Sequence, residues 1–329
     1  MLKVGVIGAG AMGQHHVRVY SELGDVELVA ISDLDEQRLK TLAENYGAEF
    51  FTDYGELLKK DLDAVSIAVP TTLHRVVSLD AMTRGINVLV EKPIADTIEN
   101  ANLIIKASRT NSVKLMVGHV ERFNPAIIAL KDHQDELGKI VTISARRVGP
   151  YNPRIRDVGI ITDLAVHDVD VMSYLYSKKI RSVHAYAGSV NHRFEDYAHI
   201  LLGFENGNSG SIETNWLTPH KVRQLTVTGT DGIAYVDYIG QTLRICNEKG
   251  VNDIDIEKKE PLRNELEHFV KCILEDRDPV VSGEEGIQAL KVALAAVKSY
   301  KMREVIEFSY RKPLSHYAKT RYVPIPANF

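Results

Sequence analysis

The chain has 329 residues, 44% hydrophobic and 26% charged, with 40 basic against 44 acidic side chains and a formal net charge of −4. At ~100–200 residues per domain this predicts two domains whose cores need no disulfide or metal staple, and it excludes disordered, collagenous and secreted mini-protein classes. The charge balance argues against a nucleic-acid binder, no apolar run nears the ~18–20 residues of a membrane span, and Cys246 and Cys272 form no CxxC pair or disulfide framework, so a cytoplasmic protein with no signal peptide and no membrane partner is expected.

Leu2–Ile7, Val26–Ile31, Ala64–Val69, Asn87–Val90 and Lys114–Gly118 are short, mostly apolar runs. Stretches with helical spacing alternate with them: Met12–Leu23, Asp35–Tyr46, Leu73–Arg84 and Ala95–Thr110. Strands apolar on both faces and separated by helices predict βαβ units in a parallel, doubly wound sheet, an α/β domain over residues 1–120. After about Val120 the pattern changes. Phe123–Leu137 reads as a helix closed by Gly138, and Ile140–Arg147 as a strand with Val141, Ile143 and Ala145 on one face. A long helix follows over Ile160–Tyr176. Asn206-Gly207, between Ala198–Phe204 and Ser209–Trp216, predicts a type I′ hairpin. Gly229-Thr230-Asp231-Gly232 marks a second turn, between Gln224–Thr228 and Ile233–Val236. Helices near Leu262–Glu275 and Glu284–Tyr300 complete an α+β domain over 121–310. The tail 311–329 reads as irregular.

Gly8-Ala9-Gly10-Ala11-Met12-Gly13 follows the first strand and opens the first helix. Its glycines suit a tight turn, close approach of a pyrophosphate, and helix–strand packing, with the helix N-terminus facing the phosphates. The bland alternative is a Gly-rich strand-to-helix turn. Asp33 ends the next strand 20 residues after Gly13, where a carboxylate accepts from ribose hydroxyls and repels a 2′-phosphate. NAD is therefore expected ahead of NADP, with Arg38 near enough in sequence to keep NADP open.

Two groups are candidates for proton chemistry. Glu91-Lys92-Pro93 ends a buried strand, where ligands bind in open α/β sheets, and a partly desolvated lysine there has a lowered pKa. The competing reading is a solvated lysine paired with Glu91, and composition alone favours it. Asp163 and His167 are at i and i+4 of a predicted helix, on a polar stripe continued by Asp170 and Tyr174. Either they face a pocket holding a hydroxyl, with histidine as proton acceptor, or they form the wet side of an amphipathic helix that Asp163 caps. Asp168 and Asp170 read as solvated.

Gly8–Gly13, Glu91-Lys92-Pro93 and Asp163-x-x-x-His167, in that order and spacing, resemble the Gfo/Idh/MocA family (glucose–fructose oxidoreductase, inositol dehydrogenase and relatives). The likeness runs from Lys3 to about Phe308. It implies a Rossmann domain, an α+β C-terminal domain on a large, mostly antiparallel open sheet, and NAD(P)-dependent hydride transfer at a hydroxyl-bearing carbon of a sugar or cyclitol. It implies that Lys92 polarises the hydroxyl, His167 exchanges its proton and Asp163 orients the pair, all three touching substrate. Ala11 and Met12 join the three glycines in the cofactor loop, and Glu91, with Lys92 beside it, would contact the nicotinamide-side ribose. Pro70-Thr71-Thr72-Leu73-His74 is similar to the family's TPNxxH segment, which makes Thr71 and His74 cofactor contacts and leaves Thr72 where asparagine is common. The glycine cluster before Asp163 is reduced to Asp157-Val158-Gly159-Ile160-Ile161. Gly118–Pro125 resembles the segment entering the active site, so Arg122 and Asn124 become candidate substrate contacts.

Arg146, Arg147, Arg154 and Arg156 fall within eleven residues, around Tyr151 and Asn152. Clustered arginines bind phosphates, although a solvated loop is the plainer reading. As a whole the chain resembles the branch acting on the C3 hydroxyl of UDP-N-acetylglucosamine, with Arg154 and Arg156 as diphosphate contacts. A free-polyol dehydrogenase and a non-catalytic NAD-binding sensor are the competing expectations. No metal site is expected. A homodimer or homotetramer is expected through a sheet face exposing Leu, Val and Trp216.

Overall fold

The computed structural model describes residues 1–151 and 158–309. Strands β1 (Leu2–Ile7), β2 (Val26–Ser32), β3 (Glu49–Phe51), β4 (Ala64–Ile67), β5 (Asn87–Glu91) and β6 (Leu115–Gly118) form a parallel sheet in the order β3-β2-β1-β4-β5-β6. Helices α1 (Ala11–Glu22), α2 (Glu36–Tyr46), α3 (Tyr54–Leu57), α4 (His74–Met82) and α5 (Ile98–Thr110) connect them in turn. Every residue of β4 and β6 is buried, as apolar runs covered on both faces require. The strand order reverses between β1 and β4, which opens a crevice at their C-terminal ends.

The rest of the chain builds a nine-stranded sheet. Its strands are β7 (Ile140–Pro150), β8 (Ile180–Gly188), β9 (Tyr197–Phe204), β10 (Ser209–Asn215), β11 (Leu217–Gly229), β12 (Gly232–Asp237), β13 (Thr242–Asn247), β14 (Gly250–Ile254) and β15 (Ile306–Glu307). Their order is β14-β13-β12-β11-β7-β10-β9-β8-β15, and only the β10–β7 pair is parallel. One face is covered by α6 (Pro125–Asp132), α7 (Val166–Tyr176) and part of α9 (Gly283–Met302). Helix α8 (Pro261–Leu274) instead turns Leu262, Leu266, Phe269 and Val270 into the core of the parallel-sheet half. Helix α9 serves both cores, with Ile287 and Leu290 in the first and Ala289, Val292 and Ala293 in the second. Helix α9 therefore marks a seam between the two halves, and the site lies along it.

The structure departs from the sequence expectations at identifiable points. The expected helix over 123–137 is divided, because Asn124 caps a new start at Pro125 and α6 stops at Asp132. The helix expected from Ile160 opens with a π-helical turn, Ile161–Ala165, before α7. The hairpin at Asn206-Gly207 forms, but through a 3₁₀ turn over Glu205–Gly207 rather than a two-residue turn, with Gly207 at φ 81°. Trp216 is not on the outer face. It is 5% exposed and packs edge-on to Tyr151 at 5.6 Å and His192 at 5.3 Å. Tyr186, Leu201 and Tyr235 do project from the uncovered face.

Candidate active site

The loop after β1 is shaped by its glycines. Gly8 sits at φ 92°, and a Cβ there would stand 2.6 Å from the Ala68 backbone. A Cβ on Gly13 would meet the Gly8 carbonyl oxygen at 1.7 Å, so this turn of α1 packs directly on the loop. Around Gly10 there is nothing within 4 Å. Two glycines thus close the backbone on itself while the third leaves open space at the N-terminus of α1. That terminus has no acidic residue in its first turn, and Ala11 and Met12 open the helix. This is the clearance and polarity a pyrophosphate requires. Asp33 stands beside the loop: its Oδ2 accepts from the Ala9 N–H at 2.6 Å and its Oδ1 from the Asp35 N–H at 2.9 Å. Arg38 is tied to Asp33 at 3.3 Å and to Asp35 at 2.9 Å. A carboxylate thus braced fits the ribose hydroxyls of NAD. Thr71 opens a 3₁₀ turn after β4, at the crevice.

Of the expected cofactor contacts, the side chains of His74 and Glu91 have partners within the protein. The His74 ring is buried, with Nδ1 2.9 Å from the Pro93 carbonyl and Nε2 3.0 Å from that of Val69. Burial lowers its pKa, against the backbone hydrogen bonds, so the neutral ring ties together the segments after β4 and β5. Glu91 turns inward to His16 Nε2 at 2.9 Å, beneath Gly118. Burial alone would raise its pKa, but the hydrogen bond and charge of His16, with Lys92, hold it below the usual carboxylate value.

Lys92 crosses the seam. Its Nζ donates to the Asp163 carbonyl at 2.7 Å and to Asp163 Oδ1 at 3.1 Å. The two side chains are 17% and 18% exposed, so the pair is shielded but still reachable. Asp163 belongs to the π-helical turn, a device that re-aims side chains and recurs at functional sites. His167 follows on α7, half-buried, with Nδ1 lacking a partner. Burial, then the charges of Lys92, Arg147, His119 and Arg223, hold its pKa well below the usual histidine value. The ring is neutral at neutral pH and able to accept a proton. Lys92 and Asp163 are thus brought together from segments 71 positions apart in sequence, with His167 on the helix that follows Asp163.

Behind them lies a layer of buried charge. Arg147 is 1% exposed and donates to Asp168 through Nε at 2.8 Å and Nη2 at 3.0 Å, and to Glu121 through Nη1 at 2.7 Å. Its guanidinium lies over Tyr238 at 5.0 Å. Arg122 grips Asp170 with two bonds of 2.7 Å and the Val280 carbonyl with a third at 3.0 Å. Asp168 and Asp170, expected to be solvated, are 1% and 2% exposed. The expected substrate contacts Arg122 and Asn124 both have partners within the protein: Arg122 holds Asp170, and Asn124 caps α6 while its amide reaches the Tyr238 carbonyl at 3.1 Å. Of the arginine cluster, Arg147 points inward, Arg146 pairs with Glu213 on the outer face, and Arg154 and Arg156 lie outside the described residues.

Sequence reasoning missed His16, His119, Glu121, Arg223 and Glu265. The signal available was polar residues at apolar periodicity, as with Glu265 between Leu262 and Phe269 on the buried side of α8. Glu265 is fully buried, and neither carboxyl oxygen has a partner. Burial, then Glu91 and Asp170, push its pKa well above the ordinary value. A carboxyl whose folded-state pKa is raised contributes its stability below its unfolded pKa and loses it as pH rises through the folded one. Glu265→Gln, uncharged throughout, is therefore expected to gain about 1–3 kcal/mol over the parent as pH is raised. Urea unfolding at pH 6 and pH 9 checks this, and an unchanged difference between the two would refute it.

Residues 2–119 match the GFO/IDH/MocA family model described as the oxidoreductase family, NAD-binding Rossmann fold, and residues 133–235 match the GFO/IDH/MocA C-terminal domain. The chain is 29% identical to a UDP-N-acetylglucosamine 3-dehydrogenase of Acidithiobacillus ferrooxidans, over 92% of this chain and 99% of that one. It is 26% identical to the scyllo-inositol 2-dehydrogenase (NAD(+)) of Bacillus subtilis, over 91% and 94%. The solved structure of the Acidithiobacillus enzyme superposes with a TM-score of 0.86, covering 92% of this chain and 98% of that one at 28% identity.

Proposed function

The chain belongs to the Gfo/Idh/MocA oxidoreductase family, and from that premise we propose that it oxidises the C3 hydroxyl of UDP-N-acetylglucosamine to the 3-keto sugar, with Lys92, Asp163 and His167 as its catalytic residues. It is an NAD-dependent dehydrogenase acting on a CH–OH group. Bound NAD supplies the hydride acceptor. The chain's residues do the rest. The Lys92 ammonium, held by Asp163, donates to the reacting oxygen and stabilises the negative charge that develops on it. The neutral His167 ring takes the hydroxyl proton. Asp163 fixes the lysine through its carbonyl and carboxylate, so the cation is oriented before substrate arrives. The observation that carries this reading is the Lys92–Asp163 bond across the seam, with the depressed His167 one helical turn further on.

Near-complete coverage of the Acidithiobacillus enzyme favours the sugar nucleotide. Similar coverage of an inositol dehydrogenase favours a free polyol as the second reading. NADH formation with UDP-N-acetylglucosamine, N-acetylglucosamine, glucose and myo-inositol, with a carbonyl trap to draw the oxidation forward, separates them. Turnover of the polyol alone would overturn the sugar-nucleotide assignment. Arg154 and Arg156 are proposed diphosphate contacts, so alanine at both raises the KM of the sugar nucleotide far more than that of NAD. The uncovered sheet face with Tyr186, Leu201 and Tyr235 is the proposed face for self-association.

Asp33 provides an independent test of the cofactor geometry. Loss of charge-assisted hydrogen bonds costs about 1.5–3 kcal/mol, so Asp33→Ser is expected to raise the KM of NAD about 10–100-fold. The KM of NADP should fall, because the carboxylate facing its phosphate is gone and Arg38 is released. An unchanged NAD KM would remove Asp33 from the ribose site.

A further inference from the structure

Arg223 lies on β11 directly opposite Arg147 on β7. The two guanidinium groups are in contrasting situations. Arg147 uses Nε, Nη1 and Nη2 on Asp168 and Glu121 at 2.7–3.0 Å. Arg223 makes one long bond, 3.4 Å to Glu121 Oε1, an oxygen that Arg147 already holds at 2.7 Å. Its side chain is 34% exposed, and Glu121 is the acceptor it shares with Arg147. It borders a cavity of about 370 Å³ whose other walls include Tyr238, Gln241 and the carboxylates Glu121 and Glu260 and, across the seam, Met12 and His15 of α1. Burial and Arg147 press its pKa down, while Glu121, Asp168 and Asp163 oppose them, and a guanidinium stays charged within proteins.

We propose that Arg223 binds an anionic group of the substrate, a phosphate or diphosphate carried by the sugar. This deepens the dehydrogenase reading above and rests on it. The cavity runs from Met12 and His15 of α1 to Glu121 of the buried charge layer, and on the reading above the anion of a sugar bound at the catalytic residues would be held there by Arg223. A planar fork with spare donors donates two parallel bonds to the oxygens of a phosphate. A neutral polyol offers hydroxyls that cannot match that charge. The same chemistry is carried by the pyrophosphate of the dinucleotide, and the test separates the two sources.

The experiment is calorimetric titration of the full chain with UDP, which has no sugar to turn over, alongside NADH binding followed by fluorescence. Arg223→Met is expected to weaken UDP binding about 10–100-fold, the range for lost charge-assisted bonds, with NADH affinity within about twofold of the parent. Arg223→Lys keeps the charge but not the fork, and should lose less, about threefold to tenfold. It carries the test if the methionine variant fails to fold. No UDP binding by the parent, or unchanged UDP affinity in either variant, would overturn the proposal. A loss confined to NADH would also overturn it and give the anion to the cofactor. Turnover of UDP-N-acetylglucosamine reports separately: UDP binding that depends on Arg223 without turnover upholds the anion site and removes only the substrate assignment.

Discussion

Lys92→Met is expected to lower kcat about 10³-fold or more while leaving the fold and NADH binding nearly intact. The size follows from what is lost: a preorganised cation at the developing charge, and a group that positions the reacting oxygen, each worth about 10²–10⁴ in comparable sites. The fold is spared because Asp163 keeps access to water when its partner goes. A second readout distinguishes this role from loose packing. The Lys92 charge is one of the causes, after burial, that hold His167 below its usual pKa. Removing it lets the His167 pKa rise, so the acid limb of the kcat profile moves to higher pH in the variant. A residual rate with an unshifted acid limb would place Lys92 away from His167. A variant with parental kcat would reject the proposed mechanism outright.

The distinction between charge that touches substrate and charge that holds the site was only partly legible in the sequence. The parallel sheet could be read because its strands are apolar on both faces and its turns carry glycines with steric reasons. The Gly8, Gly10 and Gly13 spacing already contains the geometry of two closed contacts and one open position. Lys92, Asp163 and His167 could be nominated, but their meeting could not, because it depends on how α7 docks across the seam. The same docking decides the fate of neighbours with identical chemistry. Asp163 and Asp170 share a helical stripe, yet one holds the lysine and the other is sealed under Arg122. Arg146 and Arg147 are adjacent, and strand alternation alone sends one to the outer face and the other into the interior. Strands β3, β8, β13, β14 and β15 were missed: β3 and β15 span only three and two residues, β8 is interrupted by Arg181, Ser182 and His184, and β14 is almost wholly exposed. Arg223 had no motif around it. Its significance comes from facing Arg147, a relation set by sheet register.

That buried layer carries the largest expected effect on stability. Arg147→Met should destabilise the protein by about 3–5 kcal/mol, because it leaves Asp168 and Glu121 buried without their main cation. At about 2–4 °C per kcal/mol for a chain of this class, the melting temperature should fall by roughly 10 °C. The pH dependence gives the cause. Burial raises the Glu121 pKa, but the charge and hydrogen bond of Arg147 outweigh it and hold the group below the ordinary value. A carboxylate depressed in the folded state contributes stability above its unfolded pKa and loses it as pH falls through the folded one. For Asp168 burial exceeds the pull of Arg147, and its pKa is already raised. Without the arginine both values climb. The deficit of the variant is then greatest at neutral and alkaline pH and shrinks in acid, where both carboxyls are neutral. Arg147→Met combined with Asp168→Leu should recover part of the loss, since an apolar replacement of both partners removes the orphaned charge, and Arg223 remains for Glu121. Denaturant unfolding of the single and double variants at pH 5 and pH 8 measures all three terms. A deficit equal at both pH values, or a double variant less stable than the single one, would mean that the cost is lost packing against Tyr238 rather than unpaired charge.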